Sequence, residues 1–168
     1  RSLLKMKILF GVLLIASFSH AEQRDSKANL ADLKEASREI KHKETEFAKL
    51  VSTGRIDQAI EFLKKPGHPQ FVLLNAKIKA VPVLVYSIRN GHQKLAQELM
   101  TTGSNLNARD EKTGQTALIA AVVRQNDELV KKLLELGADK EMRANNGKSP
   151  LDYAKENGLN KTSINLLK

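Results

Sequence analysis

Residues that could do chemistry are few in this chain, and their spacing brings none of them together. His42, His68 and His92 stand far apart, with no HExxH pair and no acidic cluster at metal-ligand spacing. There is no cysteine, which excludes a disulfide, a thiolate nucleophile and any Cys-based metal site. Gly147-Lys148-Ser149 carries the last three residues of a phosphate-cradling loop. That loop needs a glycine five residues before Gly147, where Met142 stands, and it needs a strand ahead of it. No serine or aspartate sits in a nucleophile elbow. Asn160-Lys161-Thr162 is a glycosylation acceptor, usable only in a eukaryotic secretory route. The expectation is a protein without catalytic residues, cofactor or metal.

The elements that would carry other kinds of site are better defined. Between Thr113 and Ala154, Leu118, Ala121 and Val122 fall at helical spacing, and so do Leu129, Val130, Leu133 and Leu134. Gln125-Asn126-Asp127 between them is polar and rich in residues that start helices. Leu136-Gly137 follows the second set, and glycine there takes the left-handed conformation that ends a helix. The pattern predicts two short antiparallel helices, a polar loop from Asp139 to Asn146, and then a restart. Ser149-Pro150-Leu151-Asp152-Tyr153-Ala154 repeats Thr116-Ala117-Leu118-Ile119-Ala120-Ala121 at an offset of 33 residues.

That period and pattern resemble ankyrin repeats. Thr116-Ala117-Leu118 and Ser149-Pro150-Leu151 stand where the family has Thr-Pro-Leu-His, and Leu133 to Asp139 is similar to its Leu-Leu-x-x-Gly-Ala-Asp. The family histidine is replaced by Val85, Ile119 and Asp152, which removes the hydrogen bonds it makes within and between repeats. Asn90-Gly91-His92 resembles the family's turn between helices, which gives His92 a structural place, and Leu99 to Asp110 resembles its helix end and hairpin. That unit begins near Pro82, 34 residues before Thr116, with one extra residue around Glu111-Lys112. Thr53 to Leu63 resembles a degenerate second helix. The resemblance covers Thr45 to Lys168 and implies an all-α ankyrin repeat solenoid. Its units are 45–81 (degenerate), 82–115, 116–148 and 149–168, the last a C-terminal cap in which Ile164 and Leu167 face inward.

Ahead of these units, residues 1–21 read as a cleaved signal peptide. Lys5-Met6-Lys7 is positive, Ile8 to Phe18 is apolar, and Ser19-His20-Ala21 is a small-x-small cleavage site before Glu22. The apolar run is too short for a spanning helix of about 20 residues. An uncleaved anchor and a buried N-terminal helix are the alternatives. Residues 22–44 then form a polar segment and an N-terminal capping helix, with Leu30, Leu33, Ile40 and Phe47 near one face and Leu50 and Val51 closing it. Leu33, Ile40 and Phe47 are seven apart, which also fits a coiled coil, although fewer than four heptads are present. Pro66-Gly67-His68-Pro69 breaks the next helix, and the stretch to Ala80 reads as an irregular connection packed by Phe71 and Leu74.

Composition agrees with small helix pairs packed through Ala, Leu and Val, since aromatic residues make up 4%. Lys and Arg total 28 against 19 acidic residues, a net +9, and removing Arg1, Lys5 and Lys7 with the leader leaves +6. The leader implies export to the periplasm or the exterior, and the resemblance implies a module that binds another protein through hairpin tips and the exposed side of the first helices. Carried over by position, that face comprises Lys77, Lys79, Arg89, Asn90, Arg109, Glu111, Lys112, Gln115, Val123, Arg124, Arg143, Asn145, Asn146, Lys148 and Glu156. Eight are cations and two are acidic, so the expected partner is a protein with an acidic surface. Nucleic acid is disfavoured because aromatics to stack bases are few. A monomer without a stable membrane anchor is expected. A stress-protection accessory without a fixed partner and a secreted effector on host proteins are the rival roles.

Overall fold

Thr116, Asn126, Ser149 and Asn160 each stand one residue before a helix, and each side-chain oxygen accepts a hydrogen bond from a backbone N–H of the first turn. Such caps satisfy donors that the helix itself leaves unpaired. They set the starts of α6 (Ala117–Val123), α7 (Asp127–Glu135), α8 (Pro150–Glu156) and α9 (Lys161–Leu166). Ser149 goes further: Asp152 returns a bond to the Ser149 N–H at 2.9 Å, completing a capping box, with Pro150 at the first helical position. Asp152, at a position of the lost family histidine, thus acts within its own helix. Val85 and Ile119, at the other two, are fully apolar and buried.

The structure is a computed structural model that describes residues 26–168, with side chains from Leu30 onward. The expected leader, residues 1–21, lies outside the described residues. The chain runs through α1 (Ser26–Ser52), α2 (Ile56–Lys64), α3 (Gln70–Leu74), the strands β1 (Lys77–Ile78) and β2 (Val81–Pro82), α4 (Val83–Arg89) and α5 (Gln93–Thr102), and then α6 to α9. Helices α4, α6 and α8 pack side by side in one layer. In the other layer α2 packs on α5, and α7 packs on α9. Within each unit the first helix returns against the second, α4 on α5 and α6 on α7. The expected solenoid of helix pairs is therefore present, and one core runs through it from Phe47 and Val51 to Ala154 and Leu167. Leu118 and Leu133 are fully buried, while Leu151, which matches Leu118 one unit on, is only half-buried against that core. No helix among the described residues is long and apolar enough to cross a membrane.

Two expectations for the first half need correction. Leu30 and Leu33 are 54% and 46% exposed. The reason is length: α1 spans about 40 Å at 1.5 Å per residue, far more than α2, so its early turns run past the packed region. Only its C-terminal part, through Phe47 and Val51, enters the core. Phe71 does not pack the connection before Pro82 either, being 79% exposed. Four apolar residues in a row, Phe71 to Leu74, cover most of the circumference of one helical turn. Leu73 and Leu74 take the buried side and Phe71 is left outside. The rest of that connection is ordered into a small antiparallel hairpin, with Lys77 opposite Pro82 and Ile78 opposite Val81.

Candidate partner-binding face

Three hairpin tips line one edge of the stack, at Lys79-Ala80, Glu111 to Thr113, and Asn145-Asn146. Each is bonded to the next. The Glu111 N–H donates to the Ala80 carbonyl at 3.4 Å, and Lys77 Nζ reaches Glu111 Oε1 at 2.7 Å. Further along, the Asn145 N–H donates to the Thr113 carbonyl at 2.9 Å, and Asn145 Nδ2 donates to the Lys112 carbonyl at 3.0 Å. Gly114 permits this approach. It has φ +68°, and a Cβ there would lie 2.7 Å from the Asn145 backbone nitrogen. Two further bonds join successive units: the buried Ser104 Oγ donates to the Leu74 carbonyl, and the exposed Asp139 N–H donates to Asn107 Oδ1.

The centre of the edge is held by a residue that the sequence reading did not single out. Asp110 is 2% exposed and takes Arg89 on Oδ2 at 2.6 Å, the Lys112 N–H on Oδ1 at 2.9 Å and the Thr113 hydroxyl on Oδ2 at 2.7 Å. Burial alone would raise its pKa. The hydrogen bonds from Thr113, Lys112 and Arg89, with the charge of Arg89, outweigh that and hold the carboxyl below its usual value. Arg89 also donates to Thr113 Oγ1 and Gln115 Oε1. From the C-terminal end of α4 it therefore ties its unit's first helix to the hairpin at the end of that unit. The signal was available in principle: an aspartate four residues before Gly114, in a loop that must turn tightly.

The remaining expected residues fall into two groups. Near the third hairpin, Lys148 Nζ pairs with Glu156 at 2.7 Å, a contact that raises its pKa, and lies 5.8 Å from the Tyr153 ring centre. Arg143 lies 3.5 Å from Asp152, whose pKa is lowered first by the Ser149 hydroxyl and N–H and then by Arg143. Asn146 donates to the Tyr153 hydroxyl at 2.9 Å. Away from the tips, Asn90, Val123 and Arg124 occupy the C-terminal ends of α4 and α6. Arg124 there lines a cleft of about 280 Å³ with Ser87, Gly91 and Asn126. Asn90 donates into its own helix, to the Tyr86 carbonyl. The other histidines have local roles: His68 Nδ1 lies 2.8 Å from the Phe62 carbonyl, and His92 stands at the start of α5.

Of the eight cations, Lys77, Arg89, Arg143 and Lys148 have a carboxylate within 4.0 Å among the described residues; Lys79, Arg109, Lys112 and Arg124 do not. With Asp110 and Asp152 added to Glu111 and Glu156, eight cations meet four carboxylates, which leaves an excess of four positive charges. That surplus is carried by exposed side chains.

Comparison with known proteins decides the kinship. A family model described as ankyrin repeats (3 copies) matches residues 83–168, just over half of the chain. The chain belongs to the ankyrin repeat family. It is 33% identical over 116 residues to an ankyrin repeat protein of Acanthamoeba polyphaga mimivirus, covering 67% of this chain and 16% of that one. Over 113 residues it is 28% identical to an ankyrin repeat protein of Borreliella burgdorferi, covering 67% of this chain and 27% of that one. It is also 35% identical over 72 residues to the human 2-5A-dependent ribonuclease, 43% of this chain and 10% of the enzyme. The chain thus spans less than a third of the length of each of these relatives. Ankyrin repeats are protein–protein interaction modules, and the matched region runs from α4 onward and contains the second and third hairpin tips.

Proposed function

We propose that this chain is a non-enzymatic ankyrin module that holds a partner protein with an acidic surface across its hairpin tips and first helices. The observation that carries the reading is the set of exposed cations without a carboxylate, Lys79, Arg109 and Lys112 along the hairpin edge and Arg124 at the end of α6, among other cations of the face that are paired. Unpaired charges of one sign speed encounter with a surface of the opposite sign and select against like-charged ones. Arg89 belongs to the supporting frame, because it is spent on Asp110. The module works as a monomer, with α1 capping the open end of the stack, and it acts after export to the periplasm or the exterior.

The test is charge reversal where folding is not involved. Lys79→Glu, Lys112→Glu and Arg124→Glu together should leave the melting temperature in place and weaken a co-purified partner by roughly tenfold, about 1.4 kcal/mol. Unchanged binding in a folded variant contradicts the reading. Export has its own check, the intact mass of the protein from the native compartment, which should start at Glu22; a chain starting near Met6 contradicts cleavage.

A further inference from the structure

Phe71 is exposed on a helix that is anything but loose. Asn75, which ends α3, donates from Nδ2 to the Phe71 carbonyl at 2.9 Å, and its Oδ1 accepts from the Asn105 N–H of the next unit at 3.1 Å. The buried Ser104 hydroxyl holds the Leu74 carbonyl at 2.8 Å, and Gln70 reaches back to the Leu63 carbonyl. The single turn of α3 is fixed at both ends, with Leu73 and Leu74 in the core, and its aromatic ring is presented to solvent at 79% exposure. Beside it lies an open groove of about 510 Å³ between α3, the first hairpin and the loop after α5. Phe71, Pro82 and Ala108 give it apolar wall, and Asn75, Lys77 and Arg109 give it polar wall. Arg109 has no carboxylate within 4.0 Å among the described residues and bonds only weakly to Asn145, at 3.2 Å. Lys77 shares its charge with exposed Glu111.

A rigidly held aromatic beside an uncompensated arginine is the composition of an interface hot spot. A large exposed aromatic on an ordered element also needs a partner to leave water. We propose that this groove captures an acidic, extended segment of a partner protein, seating one of its apolar side chains against Phe71 and its carboxylates on Arg109 and Lys77. Both cations line the groove with Phe71, so carboxylates near the seated apolar side chain meet positive charge. This inference rests on the reading of the protein as a binder of acidic partners and says where the tightest contact falls.

The test uses a short fluorescent peptide, Glu-Asp-Asp-Phe-Leu-Glu-Asp, its counterpart with lysine for every acid, and a single-stranded oligothymidine, titrated against the full chain. The acidic peptide should bind, the lysine peptide should not, and Phe71→Ala and Arg109→Glu should each weaken it at least about tenfold with the melting temperature unchanged. The reversal at Lys79, Lys112 and Arg124 touches no wall of the groove and separates the two proposals. If it weakens the peptide while Phe71→Ala does not, the groove is excluded and the basic face stands. If neither variant matters, both fall. Equal or tighter binding of the oligothymidine through Phe71 overturns the peptide assignment. So does a concentration-dependent dimer in sedimentation that Phe71→Ala abolishes, which would give the groove to a second copy of the chain.

Discussion

The two halves of this molecule build the same architecture with different local chemistry. From Thr116 onward every helix start has a side-chain cap, and the left-handed positions that end helices or turn loops are glycines, apart from Gln125. Before residue 93, α2, α3, α4 and α5 begin after Arg55, Pro69, Pro82 and His92, none of which caps with its side chain. The first hairpin turns through Lys79 and Ala80, at φ 53° and 69°, where glycine or asparagine would be at ease. α1 overhangs, and α3 leaves a phenylalanine in water. The second half is specified locally, residue by residue. The first half takes its shape from packing on its neighbour, through Leu63, Leu73, Ile78 and Val83, and through bonds such as Ser104 to Leu74. Local and global preferences agree in one half and conflict in the other.

The largest effect should come from burial. Leu133 is fully buried, and Leu133→Ala should cost on the order of 2–5 kcal/mol in denaturant unfolding. Leu33→Ala, on the overhang, should change stability by less than about 0.5 kcal/mol. Equal costs at the two would mean that α1 is packed along its whole length.

Next comes the joint between the halves. Asp110→Ala should cost roughly 1.5–3 kcal/mol, because Arg89 and two hydrogen-bond donors lose a charged partner. The folded pKa of Asp110 lies below its unfolded value, so its contribution is complete above about pH 4 and is lost as pH falls through the lower folded value. Melting temperature against pH should therefore fall less steeply below pH 4 in Asp110→Asn than in the parent. Identical acid limbs would remove Asp110 from the account.

How much of this was legible beforehand follows the same division. Asn126, Gly137 and the offset between Thr116 and Ser149 sit in the regular half, where composition and conformation match, and the sequence showed helices, caps and period there. Helical spacing puts Leu30 and Leu33 on one face with Phe47, and apolar type suggests that Phe71 packs, but helix length and the circumference of one turn leave all three exposed. The first hairpin was hidden because Lys79-Ala80 carries no turn signature. Of the expected face, position along the repeat brought Lys77, Arg109, Glu111, Lys112 and Asn145 to one edge. It could not show that Arg89 is bound to Asp110, a contact between the first helix of a unit and its distant hairpin.

Two smaller effects sharpen the comparison. Ser149→Ala removes a capping box and should cost about 1 kcal/mol by thermal unfolding. In the other half the sign reverses: Ala80→Gly relieves a left-handed alanine and should stabilise by roughly 0.5–1 kcal/mol, the strain of that conformation less the added freedom of the unfolded chain. A destabilised Ala80→Gly protein would show that the first turn is unstrained and that the halves differ less than described.

Under the proposed function, an acidic partner is held chiefly by the unpaired cations Lys79, Arg109, Lys112 and Arg124. The most direct measurement is the affinity of the co-purified partner as a function of salt, for the parent chain and for the variant reversed at Lys79, Lys112 and Arg124. The parent should weaken steadily as salt rises, and the variant should start roughly tenfold weaker, respond less to salt, and melt at the same temperature. A variant that melts like the parent, binds like the parent and shows the same salt dependence would contradict the account.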